Sequence, residues 1–231
     1  MIHPWLQSTW TRLVELGERL PHALLFVGPA GLGKRALAEA LAARLLCDAP
    51  GADGHACGQC EPCLWRLSGN HPDLHRVVPE AETAAAEGEG DGEAPGKAAS
   101  TQIRIDQIRA LQGALAVTGH HGSRRVVLLD PAEAMNGVTA NALLKLLEEP
   151  PEGCIFVLVS SAPRILLPTI RSRCQQWHFS RPDAAALARW GAHAAADARA
   201  LLALGGGMPL AAERLAQGGG AAMHARFVRD I

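Results

Sequence analysis

The sequence has no apolar run approaching the ~18 to 20 uninterrupted residues that a membrane-spanning helix needs, so none is expected among these residues. Its opening, MIHPWLQSTW, lacks the basic-then-apolar layout of a signal peptide, and the expected location is cytoplasmic. An excess of either charge is missing too. Lys and Arg number 22 against 23 Asp and Glu, a net of −1, so bulk electrostatics do not announce nucleic-acid binding. No internal repeat is found.

The charge is unevenly spread. Residues 79–100 hold six acids (Glu80, Glu82, Glu87, Glu89, Asp91, Glu93) against Lys97 alone. Setting those aside leaves 21 basic and 17 acidic residues, a mild positive balance, so contact with a polyanion would come from local patches. Apolar residues make up 48% of the 231, enough for one large α/β domain and a small helical one.

Continuous apolar runs at residues 23–28, 125–130 and 155–160 read as buried strands, with shorter strands at 74–78 and 175–179. Helices are expected at 34–46, around Ile105, Ile108, Leu111 and Leu115, and at 141–149 up to Pro150-Pro151. Apolar strands alternating with helices indicate a five-stranded parallel sheet covered on both faces. Residues 80–99 show no periodicity and read as a disordered surface insert. Beyond residue 181 the pattern changes to Ala-rich helices broken at 205–207 and 218–220, which places a domain boundary there: 1–181, then a helical domain at 182–231.

Gly28-Pro29-Ala30-Gly31-Leu32-Gly33-Lys34-Arg35 matches a P-loop at seven of its positions and lies between a strand and a helix start. Gly28, Gly31 and Gly33 would let backbone N–H groups close around phosphate oxygens, with Lys34 reaching the outer phosphates. The eighth position calls for a hydroxyl that ligates Mg²⁺, and Arg35 stands there. Asp130 ends a strand where a Walker B aspartate belongs. Pro131 follows in place of the glutamate that orients the attacking water, and Glu133 is expected to point elsewhere. These losses argue against hydrolysis and leave phosphate binding without turnover open.

Cys47, Cys57, Cys60 and Cys63 fall within seventeen residues, the number of thiolates that a closed tetrahedral Zn²⁺ site requires. A ferredoxin-type cluster is the rival, but its fourth cysteine lies downstream and precedes a proline. His55 or His71 could replace one thiolate. Cys154 abuts a strand and is expected in the core.

Three features together resemble the clamp-loader branch of the AAA+ ATPases. They are residues 141–151 (NALLKLLEEPP), the Ser172-Arg173-Cys174 triplet, and the four-cysteine insert after the P-loop helix. Within that branch, His3-Pro4-Trp5-Leu6, residues 21–25 and Asn70-His71-Pro72-Asp73 are similar to the delta-prime subunits of bacterial DNA polymerase III. The resemblance implies an AAA+ P-loop domain with a zinc module at 47–63 and a helical lid. It also implies a stator role, in which Arg173 is lent as an arginine finger to ATP on a neighbouring motor subunit. The implied partners are the motor ATPase subunits and delta in a hetero-oligomeric ring, with DNA and the sliding clamp reached through it. ATP binding at the chain's own P-loop would be weak or absent. Ser160 and Ser161 stand at the position of a first sensor, and Leu210 in place of a lid arginine, with Arg214 as another candidate. The family's third, collar domain is expected to be missing, since residues 226–231 carry no turn or cap. Two other readings are kept: an active motor ATPase of the same fold using Lys34 and Asp130, and a zinc-dependent DNA-binding module with a vestigial P-loop.

Overall fold

In the computed structural model the described residues are 2–86, 100–116, 124–183, 185–187 and 202–217. Five strands form one sheet: β1 (Ala23–Val27), β2 (Leu74–Val77), β3 (Arg125–Leu129), β4 (Cys154–Ser160) and β5 (Gln175–His178). Their order is β2-β3-β4-β1-β5, and every neighbouring pair is parallel. All residues of β1, β3 and β4 are buried. Their unbroken apolar runs follow from being covered on both faces, where alternation would expose nothing to water.

One face packs Leu24, Phe26, Val126, Leu128, Val157 and Val159. Against it lie Trp10 and Leu13 of α1 (Gln7–Leu16) and Leu37 and Leu41 of α2 (Lys34–Leu45). The other face packs Leu25, Val127, Leu129, Phe156 and Leu158. It is covered by α5 (Ile105–Ala116), α6 (Gly137–Glu148) and α7 (Pro168–Arg173) through Ile108, Leu143 and Ile170. The start of α6 is fixed by Asn136, whose side chain accepts a hydrogen bond from the Thr139 N–H at 2.9 Å. Capping an orphan donor in this way sets the helix start four residues ahead of the position expected from the apolar pattern.

Between α2 and β2 sits the short helix α3 (Glu61–Leu67), begun by Cys60 and by Pro62 in its first turn. The segment expected to be without structure, 80–99, begins instead with helix α4 (Glu80–Ala86). Glu and Ala are strong helix formers even where no apolar stripe marks them. Residues 87–99 lie outside the described residues. Of the helical domain expected at 182–231, the described residues include α8 (Pro209–Gln217), which follows a turn in which Gly206 and Gly207 take φ of 64° and 78°. The expected break at 218–220 and the end at 226–231 lie outside the described residues. No described helix is long and apolar enough to cross a membrane.

The parallel order brings the C-terminal ends of β1, β3 and β4 side by side, with Val27 opposite Ser160 and Leu129 opposite Leu158. Crevices of this kind, outside the carboxyl ends of parallel strands, are where such sheets place their ligands.

Candidate functional site

The glycine loop leaves β1 under tight steric limits. A Cβ on Gly28 would come within 2.4 Å of the Phe179 carbonyl oxygen, and one on Gly33, at φ +87°, within 2.6 Å of the His3 ring. Gly28→Ala is therefore expected to destabilise the fold by about 1–3 kcal/mol, because backbone must move to admit a methyl group. Gly113 of α5 has open space around it, so Gly113→Ala should be neutral or stabilising by about 0.5–1 kcal/mol. Urea unfolding of the two variants checks the contrast.

Residues from both ends of the chain hold the loop in place. The Trp5 indole N–H donates to the Leu32 carbonyl at 2.9 Å, and His3 stacks on Trp5 at 4.8 Å. From the other side, the Leu210 N–H at the start of α8 donates to the Gly31 carbonyl at 3.2 Å. A cavity of about 720 Å³ lies between, lined among others by Gly31, Gly33, Lys34, Arg35, Asp130 and Arg214.

Lys34 is buried, and its ammonium donates to the carbonyls of Gly28 and Pro29, each at 2.7 Å, and to Ser161 Oγ at 3.1 Å. Its three N–H donors thus all have partners within the protein. Burial pulls its pKa below the ordinary lysine value, partly offset by Glu133 and Asp130. Arg35 turns across the mouth of the cavity, pairing through Nε with Asp130 and through Nη2 with Glu82 of α4. Burial pulls the guanidinium down, but the hydrogen bonds to Asp130 and Glu82 outweigh it and the net shift is upward. At Asp130 burial wins over the arginine, and the carboxyl is raised above its usual range.

Glu133, expected to point elsewhere, is not among the residues lining the cavity. Its Oε1 accepts the Ser161 N–H at 2.9 Å, beside the Lys34 ammonium, and its Oε2 is buried without a hydrogen-bond partner. Of the two candidate sensor serines, Ser161 meets Lys34, while Ser160 Oγ accepts the Ala162 N–H at 3.2 Å. Leu210 and Arg214 both line the cavity, one turn apart on α8. Gly28, Gly31, Gly33, Lys34, Arg35 and Asp130 are thus gathered at one place, together with Glu82 and Trp5, to which the sequence assigns no part in the site. Glu82 had no visible signal, since it lies in a run of similar acids.

Arg173 lies apart from this lining, as the last residue of α7. Its Nη1 donates to the Thr169 carbonyl at 3.1 Å, and its Nη2 pairs with Glu148 at the end of α6. Cys174 beside it is buried, and that burial lifts its thiol to about 12. Cys154 is likewise in the core, its thiol raised by burial to about 11.

The four cysteines converge as their spacing suggested. Cys47, Cys57, Cys60 and Cys63 place their sulfurs within 4.8 Å of one another, and Cys47 and Cys60 are 3.8 Å apart. Four sulfurs at about 2.3 Å from a tetrahedral Zn²⁺ would be separated by about 3.8 Å. The N–H groups of Gln59 and Cys60 point at Cys57 Sγ from 3.5 and 3.3 Å and pull that thiol down to about 6, while burial raises Cys47 and pushes Cys63 up to about 12. The donor set fits zinc. His55 stacks on Trp10 and His71 packs edge-on against Trp65, and neither belongs to the group of four.

Comparison with known proteins agrees with this geometry. The family described as "DNA polymerase III, delta subunit" matches residues 7–183. DNA polymerase III subunit delta' of Pseudomonas aeruginosa is 45% identical over 235 residues, covering 100% of this chain and 66% of its own. The chain belongs to the DNA polymerase III delta-prime subunit family. Subunit delta' of Escherichia coli is 33% identical over 223 residues, covering 94% of this delta-prime family chain and 61% of its own. The chain therefore spans somewhat less than two thirds of the length of these relatives. Among solved structures, a gamma subunit-related protein of Thermotoga maritima superposes with a TM-score of 0.52 at 23% identity, covering 80% of this chain and 49% of that one. Thermotoga maritima RuvB gives 0.53 at 15%, covering 92% and 59%. At these identities the likeness is one of fold, an AAA+-like α/β domain, which the delta-prime chain shares.

Proposed function

We propose that this delta-prime family chain works as a subunit of the DNA polymerase III clamp loader that does not hydrolyse ATP itself. In this reading it is a stator, and Arg173 is its contribution to ATP bound on a neighbouring motor subunit. The observation that carries the reading is Arg35. A guanidinium stands where a metal-ligating hydroxyl is needed, and it pairs with Asp130, the carboxylate that would otherwise hold the same metal. Pro131 removes the water-orienting carboxylate next door. Lys34 spends its donors on the loop and on Ser161. Around the cavity, the cations Lys34, Arg35 and Arg214 meet the carboxylates Glu82, Asp130 and Glu213, with Glu133 adjacent, so there is no surplus positive potential to draw in a triphosphate.

Phosphate release tests this directly. The purified chain with ATP and Mg²⁺ is expected to give no turnover above background. Lys34→Ala in the reconstituted loader is expected to leave the rate within about twofold of wild type, because this site supplies none of the chemistry. Magnesium-dependent release by the chain alone, abolished by Lys34→Ala, would overturn the reading in favour of a motor ATPase.

The four thiolates of Cys47, Cys57, Cys60 and Cys63 would hold one zinc ion with no open position. Such an ion acts as a structural clip between α2 and α3, with no part in catalysis. Other loader subunits are the expected partners, with DNA and the clamp contacted through the assembly.

A further inference from the structure

The C-terminal end of α6 carries two consecutive carboxylates, Glu148 and Glu149, just before Pro150. Negative charge at that end of a helix opposes the helix dipole, which favours basic residues there. Helix stability therefore does not explain Glu148, and its compensation comes from another element. Arg173 Nη2 pairs with Glu148 Oε1, while Arg173 Nη1 donates to the Thr169 carbonyl one turn back on α7 at 3.1 Å. Anchors on two different elements fix both the position and the plane of the guanidinium. The base of the side chain is held as well. Ser172 Oγ donates to the Thr169 carbonyl at 3.0 Å, and Cys174 is buried in the core.

The pair itself stays in water, with the side chains of Arg173 and Glu148 35% and 46% exposed. Exposed pairs of this kind contribute little to folding, and both partners remain within reach of an incoming anion. A triphosphate offers more negative charge and several acceptor oxygens to the same planar fork. Glu148 can thus aim the guanidinium before docking and yield it on docking.

We infer that Glu148 is a positioning residue for Arg173, keeping the guanidinium held between the ends of α6 and α7 until phosphate oxygens replace the carboxylate. This rests on the proposed role of Arg173, and the two ideas fail in different ways. Without Glu148 the arginine samples many rotamers, and loss of alignment of a catalytic group commonly costs one to two orders of magnitude in rate.

The test uses the reconstituted loader and a double-mutant cycle. Glu148→Ala is expected to lower kcat for ATP about 10-fold, with KM and the thermal midpoint of the subunit unchanged. Glu148→Asp should recover part of the rate. Glu148→Ala combined with Arg173→Ala should be no slower than Arg173→Ala alone. A Glu148→Ala rate that is unchanged or raised while Arg173→Ala is slow would overturn the positioning role and leave the arginine's role intact. Further slowing in the double variant would assign Glu148 a different task and overturn the inference equally. A wild-type rate for Arg173→Ala would instead refute the underlying reading.

Discussion

With the other motor sites of the reconstituted loader disabled, Arg173→Ala is expected to cut ATP turnover at the site facing this subunit by about 10³-fold. Arginine fingers in phosphoryl transfer are worth about 10³ to 10⁵ in rate, because a fixed positive charge meets negative charge that builds on the transferring phosphoryl group. A guanidinium is always charged and presents a planar fork, so Arg173→Lys is expected to recover only a small part of the loss. Folding should be spared. Arg173 belongs to neither hydrophobic cluster of the described residues, and a partly exposed ion pair such as that with Glu148 is worth about 1 kcal/mol or less. Ser172 and Cys174 keep their anchors on either side. Single-site phosphate release, read beside the thermal midpoint of the isolated subunit, separates a chemical loss from a structural one. An unchanged rate would remove the assigned role.

The second large effect concerns the cysteines. One zinc ion per purified chain is expected, and Cys57→Ser together with Cys60→Ser should abolish it. Losing even an outer-shell partner of a metal ligand costs about 10- to 100-fold in affinity, and here two direct ligands disappear. Binding to structural zinc sites in small modules carries about 10–16 kcal/mol of apparent free energy, which becomes folding free energy wherever the site cannot form without metal. In the segment between α2 and α3 only Leu46, at its very start, belongs to the buried apolar core. Proteolysis of the double variant is therefore expected to begin between residues 47 and 63, with the sheet left intact. Elemental analysis and the absorption spectrum after cobalt substitution report the site without any assay of the loader. Iron in the purified chain, or no metal at all, would overturn the assignment.

Some of this architecture was legible in the sequence because its cause is local. The runs at β1, β3 and β4 are apolar at every position but Arg125 at the start of β3 and Ser160 at the end of β4, a pattern typical of strands covered on both faces. The cysteine set was readable because ligand spacing within seventeen residues is nearly a geometric specification. The unread parts depend on partners far along the chain. Glu82 reaches Arg35 across 47 positions, and Trp5 meets Leu32 across 27. In sequence Glu82 is one acid among six, and Trp5 is an aromatic near the start of the chain. In sequence Glu148 is one of two acids before a proline, and only folding brings it to Arg173. For Glu133 the Walker B pattern gives no destination, and the 3₁₀ turn at Ala132–Ala134 directs its carboxylate to the end of β4.

Two adjacent carbonyls of the glycine loop, Gly31 and Leu32, are gripped from opposite directions, by α8 and by the indole of Trp5. A loop wedged in this way behaves as a keystone: neither neighbour can shift without breaking a hydrogen bond to it. If the chain serves as the proposed stator, such a loop would make it the fixed abutment of its assembly, and movement would fall on the joints elsewhere.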